Sequence, residues 1–563
     1  MLDPNIEVPT RAGVLRGLHW APQSPSTAPV VLVLTPYGAD RYRPDGTTFA
    51  SAGFHFVSLD VRGRGGSDGH FRPFVHDGDD GHDAVRWLAG QEWSSGEVVM
   101  YGGSYSGFAQ WATAARRPPG LRAIAPVASV HPGIDFPMAH NIPKAFAARW
   151  LAMVDGRWMS DDDAATWAAA GRDLVSSGRP FRDLDVAASG RRLPTFQEWL
   201  DHPSLDEYWT RLAPTRRQYE QITLPVLTIT GQYDDDQLGA LTFHDRHVAA
   251  APPEAAARHQ VVIGPWDHGG TRSAARSFGG LTFAENSAID LPALHLAWYR
   301  WVLGMAGRPE FLRERVTYFH VGEDRWRSAA QLPAGDRSLR LHPLADGASS
   351  DPARRSLATT PAAVDHTVSF RLDPRAVGRP EYDEPAADRT FTDDRPLAGT
   401  NGEATVHVSE PLTEYADVSG RPRAELTLSS ELRDFDLLVG LYLLPSSGTP
   451  RLLGEAGLRA RYHAGLHRPE PWPSGRPVPV ALRDFPFISL RVGPGDRFAL
   501  VIRAPHRRWQ PNHQAGGPVA DESAQDAVSG VVRLHQGPSH PSSLSLPIAV
   551  APTSSDATPR AGG

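Results

Sequence analysis

The 563-residue sequence contains no cysteine. Disulfides, thiol nucleophiles and cysteine-ligated metals are therefore excluded, and packing alone must hold the fold. Positive charge is not in surplus either: 57 Lys and Arg stand against 64 Asp and Glu, a formal net charge of −7. Without a basic stripe, nucleic acid is not expected as a partner. No run approaches the roughly 20 apolar residues of a membrane span. Met1 to Glu7 carries neither a basic nor an apolar leader pattern. The expectation is a soluble, cytoplasmic protein with no membrane partner. The chain is too long for one ordinary core, so two or three domains are expected, with self-association left open.

Several loops also lack what their chemistry would need. Asp60-Val61-Arg62-Gly63-Arg64-Gly65-Gly66-Ser67-Asp68-Gly69 is rich in glycine. It has no G-x-G-x-x-G between a strand and a helix and no G-K-[ST], so a structural turn is expected. Asp77-Gly78-Asp79-Asp80-Gly81 resembles half a calcium loop without the closing glutamate, and Asp79 or Asp80 is expected to cap the following helix. No metal site and no cofactor are expected.

What is present is a regular alternation. Val30–Leu34, Phe54–Leu59, Val98–Tyr101, Leu121–Pro126, Leu224–Thr230 and Gln260–Ile263 are short apolar runs rich in β-branched residues. Helical spacing lies between them, as in Gly81–Gln91. Strands alternating with helices imply parallel βαβ units in a doubly wound sheet. Between Val130 and Ile222 the pattern becomes helix after helix: 145–153, 161–174, 195–200 and 205–219, with no apolar strand among them. An insertion of this kind reads as a cap over the sheet. From about Arg313 short strands separated by Gly, Pro and Asp turns imply an all-β sandwich or jelly roll. The expected organisation is an α/β domain (1–130 and 223–312), a helical cap (131–222), a β domain (313–550) and a disordered tail (551–563). Residues 346–365 are expected to form an exposed loop.

The chemistry centres on Val98-Val99-Met100-Tyr101-Gly102-Gly103-Ser104-Tyr105-Ser106-Gly107. Small residues let a strand bend sharply into a helix and hold one serine at the tip, where the helix N-terminus favours developing negative charge. Ser104 is the candidate nucleophile, although the short G-x-S-x-G pattern is not met. A serine hydroxyl needs a base and an orienting carboxylate, which follow in the order Ser, acid, His at later strand ends. Two strand ends qualify: Gly231-Gln232-Tyr233-Asp234-Asp235-Asp236 and Gly264-Pro265-Trp266-Asp267-His268. Asp234 and His268 are the candidates, with Asp235 and Asp236 as neighbouring rivals for the acid. Thr35-Pro36-Tyr37-Gly38 follows the first strand of the alternation. Tyr37 either donates its hydroxyl to an oxyanion or packs beneath the cap, and the Tyr105 N–H is the expected second donor.

These residues resemble the cocaine-esterase-like hydrolases, whose superfamily includes α-amino acid ester hydrolases, glutaryl acylases and X-Pro dipeptidyl-peptidases. The match lies in Gly102-Gly103-Ser104-Tyr105-Ser106-Gly107, Thr35-Pro36-Tyr37, Asp60–Gly69, Trp93–Val98, Tyr233-Asp234, Gly264–His268 and Gly322-Glu323-Asp324-Arg325-Trp326. The resemblance implies an α/β-hydrolase domain with a cap and a jelly roll. It also implies Ser104, Asp234 and His268 as a triad, with Tyr37 and Tyr105 as the oxyanion hole. The activity implied is hydrolysis of an ester or amide of a small or short peptide-like acyl substrate. Alternatives are an X-Pro dipeptidyl-peptidase or aminopeptidase holding a free α-amine, and an acyltransferase with the same triad. In the α-amino acid ester hydrolases a carboxylate cluster holds that amine. Asp236 falls at one such place and Asp135 is aligned loosely with another, while Gln237 stands where a further carboxylate belongs. The competing role for Asp235 and Asp236 is capping of the next helix.

Overall fold

A computed structural model describes residues 1–23, 27–161, 163–344, 354–375, 390–398, 403–505 and 508–549. The first part is built on a ten-stranded sheet. Its first eight strands in chain order are β1 (Leu2–Thr10), β2 (Gly13–Trp20), β3 (Ala28–Thr35), β4 (His55–Asp60), β5 (Ser94–Gly103), β6 (Leu121–Val127), β9 (Val226–Gly231) and β10 (His259–Gly264); a separate hairpin, β7–β8 (Met138–Ala139, Ile142–Pro143), lies between β6 and β9 in the chain. The spatial order is β1-β2-β4-β3-β5-β6-β9-β10, and all contacts from β4 through β10 are parallel. Each parallel strand is covered on both faces, which is why it reads as an unbroken apolar run. Along β3, Val31 and Val33 enter one core while Val30, Leu32 and Leu34 enter the other.

The helices α1 (Arg43–Ser51), α2 (Asp77–Ala89) and α3 (Tyr105–Arg116) connect these strands. In α2 the expected caps are displaced. The helix begins at Asp77 with His76 at the N-cap position, so Asp79 and Asp80 lie inside the first turn. There Asp80 pairs with Arg62 and Asp79 with Arg116, at 2.5 and 2.9 Å.

The inserted region holds α4 (Phe146–Val154), α5 (Ala164–Ser177), α6 (Leu184–Ser189), α7 (Pro194–Leu200), α8 (Glu207–Thr210) and α9 (Arg216–Gln221). The stretch expected as one helix over 205–219 is two, because Pro214 cannot continue a helix and Thr215 starts a new capping box. The hairpin β7–β8 also interrupts a region in which no strand was expected.

The β domain was expected to begin at about Arg313, and the first two strands after that point are Val316–His320 and Arg325–Ala329. They extend the parallel sheet instead, Val316–His320 lying parallel to β10 and pairing antiparallel with Arg325–Ala329. An apolar run carries no label for the sheet it will join. Residues 404–549 then contribute most of the all-β domain, whose strands pair mainly antiparallel. Arg354–Ala358, within the expected loop, is a strand parallel to Ala404–Ser409. The expected tail, 551–563, lies outside the described residues.

The β domain is stitched to the cap. Ala145 N–H donates to Arg508 O, Gln510 N–H to Pro143 O, and Leu205 N–H to Leu466 O. Beneath this seam Arg459, 1% exposed at its side chain, forms a two-pronged pair with Asp436 at 3.0 and 2.8 Å. It also donates to the Asn141 carbonyl of the cap at 2.9 Å. Removing one partner of a buried pair leaves a charge without compensation, which costs about 3–5 kcal/mol. Arg459→Met should therefore lower stability by about that amount, read from urea unfolding followed by tryptophan fluorescence. A change under about 1 kcal/mol, the level of an exposed pair, would contradict this role.

Candidate active site

Ser104 stands between β5 and α3 with φ 60° and ψ −122°, in a region that non-glycine residues rarely occupy. Its N–H donates to Val127 O at 2.9 Å, and its carbonyl accepts from Gly107 and Phe108 N–H at 2.9 and 3.1 Å. A Cβ at Gly107 would stand 3.0 Å from Ser129 Cα and Val127 O, so any side chain there would press on the backbone beside the nucleophile. The missing glycine at 106 is accounted for locally: Ser106 Oγ accepts from the Tyr42 hydroxyl at 3.3 Å.

The other candidates arrive on neighbouring strand ends. A Cβ at Gly231 would sit 2.0 Å from Trp266 O, so glycine is what lets the turns after β9 and β10 touch. Across that contact His268 Nδ1 donates to Asp234 Oδ1 at 2.9 Å. Asp234 is fixed in turn by the Thr230 hydroxyl (2.8 Å) and by Asp236 N–H (3.0 Å). Gln237 clamps the same turn. Its side-chain amide donates to Gly231 O and Phe487 O, and its Oε1 accepts from Phe487 N–H. The residue found where a carboxylate was sought thus ties the turn to the β domain.

Tyr37 lies opposite, its hydroxyl donating to Ser104 Oγ at 3.4 Å. Tyr105 is the first residue of α3, so its N–H has no intrahelical acceptor. Its side chain is anchored below, donating to Asp77 at 2.8 Å and accepting from Phe74 N–H at 2.9 Å. Among the described residues no hydrogen bond joins Ser104 to His268. Such pairs are often loose until a substrate aligns them.

Asp236 is N-cap of α10 (Gln237–Ala250) by position only, since its side chain makes no cap hydrogen bond. That side chain turns to His268 Nδ1 at 3.4 Å, giving the imidazole a second carboxylate. Burial, opposed by the His268 charge and helped by that of Asp234, pushes Asp236 up to about 6. Asp135 lines the same cavity, but its two oxygens accept backbone N–H groups from His131 (2.8 Å) and Gly239 (2.7 Å). Burial, then the charge of Asp236, holds Asp135 well above the usual carboxylate range.

Asp234, Asp236 and His268 are close enough to share a cation, as are His320, Glu323 and Asp417. In the first group the imidazole faces both carboxylates. In the second Arg327 and Arg491 already neutralise the acids.

All the candidate residues border one cavity of about 1220 Å³. Its wall includes Phe136, Phe146, Trp150 and Trp167 from the cap region and Glu455, Asp484 and Trp509 from the β domain. Sequence reasoning missed Trp150, whose spacing in α4 is that of any core aromatic. It also missed Arg64, which is 1% exposed and donates to Pro36 O and Val154 O, both at 2.8 Å. A charged residue in a glycine-rich turn gave no hint that it would be buried.

Low-polarity surroundings push the His268 pKa down, but the charges of Asp236 and Asp234 outweigh this and raise it above its ordinary value. Asp236→Asn removes one of these charges. The His268 ring should then titrate at lower pH, as followed by NMR of labelled histidine; an unchanged or higher midpoint would contradict the contact.

Residues 14–270 match the family model described as X-Pro dipeptidyl-peptidase (S15 family). Residues 312–545 match that of the X-Pro dipeptidyl-peptidase C-terminal non-catalytic domain. A cocaine esterase of Rhodococcus sp. (strain MB1 Bresler) is 28% identical, over 97% of this chain and 98% of its own. Two solved structures share the fold with a TM-score of 0.82 and 21% identity, each covering 97% of this chain and 96% of its own. One is an α-amino acid ester hydrolase. The other is an aminopeptidase from the marine sediment archaeon Thaumarchaeota archaeon.

Proposed function

The chain belongs to the X-Pro dipeptidyl-peptidase (S15) family of serine hydrolases, and from that premise we propose that it cleaves a small carboxylic ester or amide through an acyl-enzyme on Ser104. The observation that carries the proposal is the convergence of the strained Ser104, the His268–Asp234 pair and the Tyr37 hydroxyl on one cavity.

Ser104 Oγ attacks the substrate carbonyl carbon while its proton passes to His268 Nε2. Asp234 holds the Nδ1–H, which keeps Nε2 free as the base and stabilises the imidazolium. The carbonyl oxygen becomes an oxyanion and accepts from the Tyr37 hydroxyl and the Tyr105 N–H. Collapse of this adduct breaks the bond to the leaving group, which takes the proton from His268. Water then attacks the acyl-enzyme by the same route, returning the proton to Ser104.

The aromatic wall of Phe136, Phe146, Trp150 and Trp167 suits an apolar acyl or leaving group. The all-β domain, read as a jelly roll, closes this cavity from the far side. A second reading, recognition of a free α-amine, is favoured by one observation. Asp236 lines the cavity near Asp135; burial raises both acids, Lys144 in the same wall offsets only part of that rise, and a substrate cation there would favour their charged forms further.

A fluorophosphonate probe should label Ser104 in the native protein and leave Ser104→Ala unlabelled; an unlabelled native protein would refute the mechanism. Tyr37→Phe should lower kcat by about 10²–10³ with little change in KM, as loss of one oxyanion donor does. For the second reading, an aminoacyl ester should lose kcat/KM on N-acetylation. Equal rates for the pair would remove the amine from consideration.

A further inference from the structure

Trp150 belongs to α4 of the cap and is only 5% exposed, as a packing residue would be. Its ring packs against Phe74, Phe136 and Trp199, and two further contacts reach the site. The indole N–H donates to the Tyr37 hydroxyl at 3.4 Å. The ring stacks on that of Tyr105, with centroids 5.9 Å apart and planes 19° from parallel. One cap residue therefore touches both residues assigned above to the oxyanion hole.

We propose that Trp150 is a positioning residue of the oxyanion hole: its N–H, delivered from the cap, fixes the direction in which Tyr37 presents its own proton. This rests on the reading of Tyr37 and Tyr105 as oxyanion donors. A phenol oxygen both accepts and donates, and its hydrogen rotates to suit its partners. With Trp150 supplying a hydrogen to one side of the oxygen, the hydroxyl proton turns to the other side, where Ser104 Oγ lies. A donor already held on the Ser104 side has only a short turn to make as negative charge develops on the adjoining carbonyl oxygen.

The helix that carries Trp150 shares an anchor with the Tyr37 loop. Buried Arg64 donates to Pro36 O, the carbonyl directly before Tyr37, and to Val154 O and Gly156 O at the end of α4. Gly65 N–H donates to Arg157 O, and Arg157 returns hydrogen bonds to Gly65 O and Ser67 O. The opposite end of α4 is held through Ala145 N–H and Arg508 O. Trp150 and Tyr37 thus keep a common frame, and the glycine-rich turn 60–69 supplies it.

The test replaces Trp150 by 3-benzothienylalanine in the full-length protein, exchanging the N–H for sulfur while keeping the ring shape. Trp150→Phe serves as a second variant. Both should lower kcat on an activated ester about tenfold with KM within about twofold, less than direct loss of an oxyanion donor. In a Tyr37→Phe background the same replacements should cause no further fall, because the hydroxyl they act through is gone. An unchanged kcat, or an equal fall in both backgrounds, would overturn the proposal and leave Trp150 a packing residue. If Tyr37→Phe alone left kcat unchanged, the oxyanion reading itself would fail and take this inference with it. A large effect of Tyr37→Phe with additive losses at Trp150 would sink this inference alone.

Discussion

One backbone conformation constrains everything around it. A parallel sheet presents all its strand ends along one edge, and at that edge Ser104 is held at φ 60°, ψ −122°. Such a conformation costs on the order of 1–3 kcal/mol and persists only where the surroundings enforce it. Here they do so by close approach. The Ser104 N–H is tied to the end of β6, and Gly107 lets α3 lie against Ser129 with little room for a side chain. Two strands away the same device recurs at Gly231, pressed onto the Trp266 carbonyl, and brings Asp234 under His268. Backbone contact thus determines where the polar side chains meet.

The electrostatics follow from that geometry. His268 faces two carboxylates, while burial raises both Asp236 and Asp135 and the charge of Asp236 adds to the rise of Asp135. Asp135 is nevertheless spent on backbone N–H groups from the start of α10 and from its own loop. It helps to hold the base of the cap against the sheet. Position near a site and availability to a substrate are separate properties, and only Asp236 of the two has its side chain on His268.

Much of this was legible in the sequence because it is local. Val30–Leu34 and Val98–Tyr101 announce buried parallel strands by being apolar on both faces, and the glycines around Ser104 announce a sharp bend. Chain order then paired Ser104 with Asp234 and His268, which the structure brings to one cavity. The rest depended on partners far away in sequence. Val316–His320 reads as a strand in any context, so nothing local says that it joins β10. Asp79 and Asp80 look like caps because they precede an apolar pattern, yet Arg62 and Arg116 draw them into salt bridges. Trp150 and Arg64 carry no signature, since an indole on a helix and an arginine in a turn are ordinary until the other side of the contact is known.

The seam between the cap and the β domain has a kinetic meaning as well as a structural one. Swinging the cap aside would break the Ala145–Arg508, Gln510–Pro143 and Leu205–Leu466 bonds and pull Asn141 off buried Arg459. On the opposite flank it would break the hold of Arg64 on Val154. A roof fastened along both eaves does not open like a lid. With both eaves tied, the cavity over Ser104 keeps its walls, and an acyl group must fit between them.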